Sequence, residues 1–139
     1  MIKSAAYLRR LSTCDERLQR VVHAVAAKML IAVVTGHRNQ LEQDEAVRLR
    51  RSKLSWPNSK HNTLPSIAVD LAPLKEDRSI DWNDIAVFHK MARLVLEEAK
   101  AQGLKLRWGG DWDRDGKSRH EGDKDERFVD LPHFEIEGA

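Results

Sequence analysis

The sequence predicts an α+β fold in which helices pack against a small sheet. Three features carry that expectation: an amphipathic helical stretch early in the chain, a stronger one past its middle, and short apolar runs that stop at glycine or proline. At 139 residues the length suits a single domain, residues 1–139, with enough chain for one core and no need of disulfides.

Thr13-Cys14-Asp15-Glu16 fits a capping box, with Thr13 as the cap and Glu16 as its reciprocal partner. Leu18, Val21, Val22, Val25 and Met29 follow at helical spacing and predict a helix over residues 15–28. Residues 30–35 are rich in β-branched side chains and end at Gly36, the pattern of a buried strand. Residues 39–51 favour helix but carry a weak apolar stripe (Leu41, Ala46, Val47), which predicts a solvated helix. Two prolines and several small polar residues make residues 52–66 a loop. Residues 67–71 read as a short strand closed by Pro73, and residues 75–79 as a charged turn. Asp81 then caps the longest helix, with Ile85, Phe88, Ala92, Val95, Leu96 and Ala99 on its buried face and Gly103 at its end. Residues 104–108 predict a strand, residues 111–127 a long charged surface loop, and residues 133–136 a last strand. In that strand alternation puts His133 and Glu135 on one face, Phe134 and Ile136 on the other. There is no internal repeat and no linker.

Composition narrows the function classes. Apolar residues at 41% and charged residues at 33% suit a soluble globular protein. A net charge of +2 does not argue for nucleic acid, although a pI of ≈ 8.8 favours an anionic surface such as a bacterial envelope. Cys14 is the single cysteine, which excludes an intramolecular disulfide and a cysteine-based zinc finger. Lys3, Arg9 and Arg10 are basic, but residues 12–20 are polar where the apolar core of a signal peptide belongs. The run 29–34 is too short to cross a bilayer, so no transmembrane segment is expected.

The chemistry gathers at three places: Ser59-Lys60-His61, Ala68-Val69-Asp70, and Asp130-Leu131-Pro132-His133-Phe134-Glu135. A catalytic zinc site needs three protein ligands, an open position and a nearby base. Two histidines and a carboxylate, with Asp130 just upstream of His133, supply that inventory. Pro132 opposes a helix there, so the segment bends into the last strand, which can bring both side chains to one end of the sheet. Taken alone, neither histidine is distinctive, since most histidines are partnered structural residues. His23 and His89 read as structural or exposed, and His120 as solvated.

The ordered set of motifs is more specific. Ser59-x-His61, Ala68-x-Asp70 and Asp130-x-x-His133 together resemble the VanY/VanX-type zinc peptidases, which comprise D-alanyl-D-alanine carboxypeptidases, dipeptidases and phage L-alanyl-D-glutamate endolysins. Thr35-Gly36-His37-Arg38, Trp56 to Asn62, Ile80-Asp81-Trp82 and Arg107 to Trp112 are similar to the small phage members, and the likeness spans residues 5–137. The fold so implied is DD-peptidase/Hedgehog-like, a small antiparallel sheet flanked by helices. The resemblance makes His61, Asp70 and His133 the Zn2+ ligands and Asp130 the acid–base that takes a proton from water and returns it to the leaving amine. It makes Arg38 the residue that binds a substrate carboxylate or steadies the oxyanion, and Ser59 one that orients the loop or contacts substrate. Two features depart from the family pattern. His61 and Asp70 lie nine apart instead of seven, with Pro65 rather than glycine between them, and His37 replaces the usual aromatic before the arginine.

Asp111-Trp112-Asp113-Arg114-Asp115-Gly116 also fits the start of a calcium loop, with Asp111, Asp113 and Asp115 as Ca2+ ligands. Its twelfth position is Gly122, so the bidentate acid is out of register, and a solvated acidic loop is the competing reading. Arg48, Arg50, Arg51 and Lys53 cluster beside Trp56, but Glu42, Asp44 and Glu45 dilute them, so a solvated face is expected rather than a nucleic-acid patch.

The resemblance thus implies a monomeric zinc peptidase of the phage endolysin kind, cutting the peptidoglycan stem peptide at L-alanyl-D-glutamate. It would wait in the host cytoplasm until a holin releases it to the periplasm and wall. Two alternatives stand beside it: a D-alanyl-D-alanine carboxypeptidase, and a non-catalytic, metal-binding structural component of a phage particle.

Overall fold

A computed structural model describes residues 4–111 and 130–138. Among them four helices surround a four-stranded antiparallel sheet: α1 (Ala5–Leu11), α2 (Glu16–Ala26), β1 (Ile31–Thr35), α3 (Gln40–Arg48), β2 (Ala68–Pro73), α4 (Ile85–Ala101), β3 (Leu106–Trp108) and β4 (His133–Ile136). A single 3-10 turn, Lys60–Asn62, precedes β2. The strand order is β1-β2-β4-β3. The α+β expectation and its small antiparallel sheet hold.

The sheet divides its chemistry by alternation. Val33, Leu71, Val69, Phe134, Ile136 and Trp108 belong to one buried cluster with Leu18, Val22, Phe88, Met91 and Val95 of α2 and α4. The register sets Asp70 opposite His133, and Arg107 opposite Glu135. Directly paired residues share a face, so the polar set of β2, β3 and β4 stands away from the core.

Several boundaries differ from expectation. α1 has no strong periodic signal, because a seven-residue helix shows only Tyr7 and Leu11 as buried anchors. Thr13 does not cap α2. Residues 13–15 run extended against Ser66, with Asp15 N–H bonded to Ser66 O at 2.8 Å. The cap therefore moves to Asp15, whose carboxylate accepts from Arg17 N–H. Likewise Asp84, not Asp81, caps α4, while Asp81 accepts from Asn83 N–H in the turn before it. α3 ends at Arg48 because Arg50 has φ 60° and the following amides fold back on Ala46 O. Of its expected stripe only Ala46 is buried, and Gln43 is fully buried instead. Pro73 lies inside β2, at the end paired with Ile31, and β3 starts at Leu106.

Candidate metal centre

Asp70 and His133 face each other across the β2–β4 ladder. His61 reaches them from the 3-10 turn, where Ser59 Oγ accepts from His61 N–H at 3.2 Å and Asn62 Oδ1 accepts from Ser59 N–H. Arg38 N–H donates to His61 O at 2.8 Å, tying that turn to the segment after β1. All three side chains are buried.

Their donor atoms form a near-equilateral triangle. Asp70 Oδ1 lies 3.2 Å from His61 Nε2 and 3.1 Å from His133 Nδ1, and the two nitrogens are 3.3 Å apart. Zinc–ligand distances of about 2.0–2.1 Å put tetrahedral ligands about 3.3–3.4 Å apart, so the triangle has the size of one face of such a site. The hydrogen bonds behind the triangle decide its charge. His61 Nδ1 lies 2.7 Å from Gly36 O, which can only accept, so that nitrogen carries the proton. His133 Nε2 lies 2.9 Å from Glu135 Oε1, which fixes its proton in the same way. With those protons on the outer nitrogens, His61 Nε2 and His133 Nδ1 are the ring atoms that face Asp70. Among the described residues His61, Asp70 and His133 form a group whose ligand atoms lie close enough together to hold a metal ion.

In the metal-free protein a proton on His133 offsets the Asp70 charge. Burial disfavours charge on Asp70, yet His61 and His133 hold its carboxyl well below the usual range. Burial also opposes charge on His133, but its hydrogen bonds to Asp70 and Glu135 outweigh it and lift the imidazolium to about 10. Burial pushes Asp130 up to about 6, Asp70 adding to the shift while His133, His61 and Arg38 oppose it. Asp130 shares with the triangle an open cleft of ≈ 1460 Å³, larger than the roughly 300–1,000 Å³ of a small-molecule pocket.

The turn that carries Asp130 is held from three sides. Gly109 O accepts from Asp130 N–H at 2.9 Å, Leu131 O accepts from the Trp108 indole at 2.8 Å, and Pro132 O accepts from Leu71 N–H at 2.9 Å. A Cβ on Gly109 would sit 2.2 Å from Asp130 O, so only glycine lets the strands approach this closely. Arg38 lines the cleft, with Nη2 3.7 Å from Asp70 Oδ2 and Nη1 donating to Gln43 Oε1 at 3.0 Å. Gln43 also holds Asn62, Ser52 and Leu54 O, and so joins α3 to the histidine turn. Glu135, Gln43 and Gly109 support the site; Gln43 lies outside every motif, while Glu135 and Gly109 lie within motifs that assign them no role. Only the shared face of His133 and Glu135 hinted at the first.

Of the expected Ca2+ ligands, Asp111 lies at the end of the described stretch, its amide bonded to Trp108 O, while Asp113 and Asp115 lie outside the described residues, as does His120. His89 is buried edge-on against Trp108, and His23 is exposed, 3.2 Å from the Tyr7 hydroxyl. Arg48, Arg50, Arg51 and Lys53 are all exposed.

The sheet supplies His133 and Asp70 and the 3-10 turn supplies His61 to one open cleft, with Asp130 alongside, an arrangement that suits a hydrolase. The chain belongs to the phage L-alanyl-D-glutamate peptidase family, whose model matches residues 2–137. The L-alanyl-D-glutamate peptidase of Escherichia phage T5 is 31% identical over 111 residues, which cover 78% of this chain and 79% of that one. The crystal structure of the Serratia marcescens L-Ala D-Glu endopeptidase ChiX shares the fold, with a TM-score of 0.72 over 96% of this chain and 88% of that one at 24% identity. No helix among the described residues is long and apolar enough to cross a membrane.

Proposed function

We propose that this peptidase is a zinc-dependent, endolysin-type enzyme that hydrolyses the L-alanyl-D-glutamate bond of the peptidoglycan stem. The observation that carries the reading is the buried triangle of lone pairs from His61, Asp70 and His133, with Asp130 on the same cleft. The family and its T5 relative support the choice of bond. His61, Asp70 and His133 would hold the ion, which when bound supplies Lewis-acid activation of water and of the scissile carbonyl.

Asp130 does the proton work. As a carboxylate it takes a proton from the attacking water while the water oxygen bonds to the alanyl carbonyl carbon. As the acid so formed, it passes that proton to the D-glutamate nitrogen as the C–N bond breaks. A carboxyl lifted to about 6 is suited to both halves of that exchange near neutral pH. Arg38 steadies Asp70 through its second oxygen and presents positive charge to the cleft, where an oxyanion or substrate carboxylate forms its counterpart. Ser59 acts by capping the His61 turn. In the cell, release from the host cytoplasm through a holin lesion brings the enzyme to the wall.

The test is digestion of Gram-negative peptidoglycan, with and without a chelator, read by mass spectrometry. The expected product is a stem peptide with a new D-glutamate amino terminus, absent when chelator is present. Loss of a terminal D-alanine instead identifies a carboxypeptidase. An unchanged wall, with the protein folded and metal-loaded, overturns the reading.

A further inference from the structure

Trp82 stands in the turn before α4 with half its surface exposed, 51%, and it lines the same cleft as His61, Asp70, Asp130 and His133. Isolated exposed apolar residues are ordinary on protein surfaces. Trp82 differs in being mounted. Its ring stacks on Phe88 at 5.8 Å and 26°, and Phe88 is part of the buried core. The turn beneath it is pinned by Asp81, whose carboxylate accepts from Asn83 N–H and whose carbonyl accepts from Asp84 N–H. One indole face is thus fixed against the core and the rest is turned outward, a rigid aromatic surface on the cleft that the site residues line.

The chemistry of the substrate says what should lie there. In peptidoglycan the stem starts at L-alanine, whose nitrogen is acylated by the lactyl group of an N-acetylated amino sugar. An enzyme that cuts after this alanine meets a pyranose within about two residue lengths of the scissile carbonyl, roughly 7 Å along the chain. The apolar C–H face of a pyranose is weakly positive and complements the negative face of an indole.

We propose that Trp82, backed by Phe88, is the platform of a saccharide subsite that binds the N-acetylated amino sugar bearing the stem peptide. The inference rests on the peptidoglycan reading above, and it makes the enzyme selective for stems still attached to glycan.

Two measurements test it. In the first, the disaccharide N-acetylglucosaminyl-N-acetylmuramic acid is titrated into the metal-loaded protein and the indole N–H resonances are followed, with Trp82→Phe identifying the relevant one. The Trp82 resonance is expected to shift at millimolar sugar; no shift overturns the proposal. In the second, hydrolysis of the disaccharide-linked tetrapeptide is compared with that of the free tetrapeptide. Trp82→Ala is expected to lower the preference for the glycan-linked substrate about tenfold, through KM, with Trp82→Phe retaining most of it. An unchanged preference in a folded Trp82→Ala protein overturns the subsite. A wild-type enzyme that cuts neither substrate overturns the proposed reaction instead, and the sugar titration still decides the subsite.

Discussion

Glu135 determines which nitrogen of His133 faces the cluster. By accepting the Nε2 proton at 2.9 Å it sets Nδ1 against Asp70, the arrangement by which an outer carboxylate would orient and strengthen His133 as a metal ligand. Burial raises the Glu135 carboxyl, but His133, Arg107 and Lys60 bring it below its ordinary value, so it is ionised where it acts. Replacing it with Ala should weaken zinc binding about 10–100-fold, measured by chelator competition, with Glu135→Gln losing less because it can still accept. Zinc binding unchanged in Glu135→Ala would remove the role. In the proposed reaction Asp130 serves turnover rather than metal binding. Asp130→Asn should keep zinc while kcat falls about 10²–10⁴-fold, the usual contribution of a general base. With its carboxyl at about 6 in the metal-free protein, the ionised fraction grows as pH rises through 6. A bound cation favours the carboxylate further, so kcat/KM should rise with pH along a limb at or below pH 6. A limb above pH 7 would show that another group is the base.

At the scale of elements, the site is a property of register. Asp70 and His133 are cross-strand partners, and a one-residue slip of β4 would turn His133 into the core. The β3–β4 pair adds the acid, because Gly109 at the end of β3 bonds both His133 O and Asp130 N–H. Gly109→Ala places a methyl against Asp130 O and should cost about 1–3 kcal/mol, the range for overpacking, as measured by urea unfolding. Because the displaced turn carries Asp130 rather than a ligand, turnover should fall more than zinc affinity; equal losses would mean that β4 itself has moved. This division also explains what could be read in advance. Strands β1, β2 and β4 and helices α2 and α4 announce themselves by period, and His61, Asp70, Asp130 and His133 by the order of their motifs. Helix caps and inter-strand supports are set by who packs on whom. Asp15 displaces Thr13 as a cap because Ser66, some fifty residues away in sequence, holds the chain extended. Gln43 is polar on a weakly amphipathic helix and looks solvated, yet it is buried because Arg38, Asn62, Ser52 and Leu54 all bond to it. No local pattern encodes such contacts.

For the molecule as a whole, a metal at the proposed centre would compete with a proton for one place. Without metal, His133 is held protonated up to about 10, against an ordinary value of 6.5, by Asp70 and Glu135 despite its burial. A folded-state pKa raised in this way stabilises the fold fully below about 6.5 and ceases to do so as pH climbs through 10. The metal-free protein should therefore lose stability across that window. Asp130 does not blur the comparison, since its own shift acts between 3.8 and about 6. Zinc held by His133 would need the Nδ1 lone pair, so its binding would expel a proton and strengthen as pH rises. A free concentration a hundredfold above Kd stabilises the fold by about 2.7 kcal/mol. The melting temperatures of the metal-free and zinc-loaded proteins should accordingly diverge from pH 6.5 upward, the metal-free curve falling while the loaded one holds. Calorimetric titrations with zinc at pH 7 in buffers of different ionisation enthalpy should show about one proton released per ion. Parallel melting curves and no proton release would mean that the three acceptors are neutralised by a proton that no metal displaces, and the triangle would then be a structural ion pair rather than a metal centre.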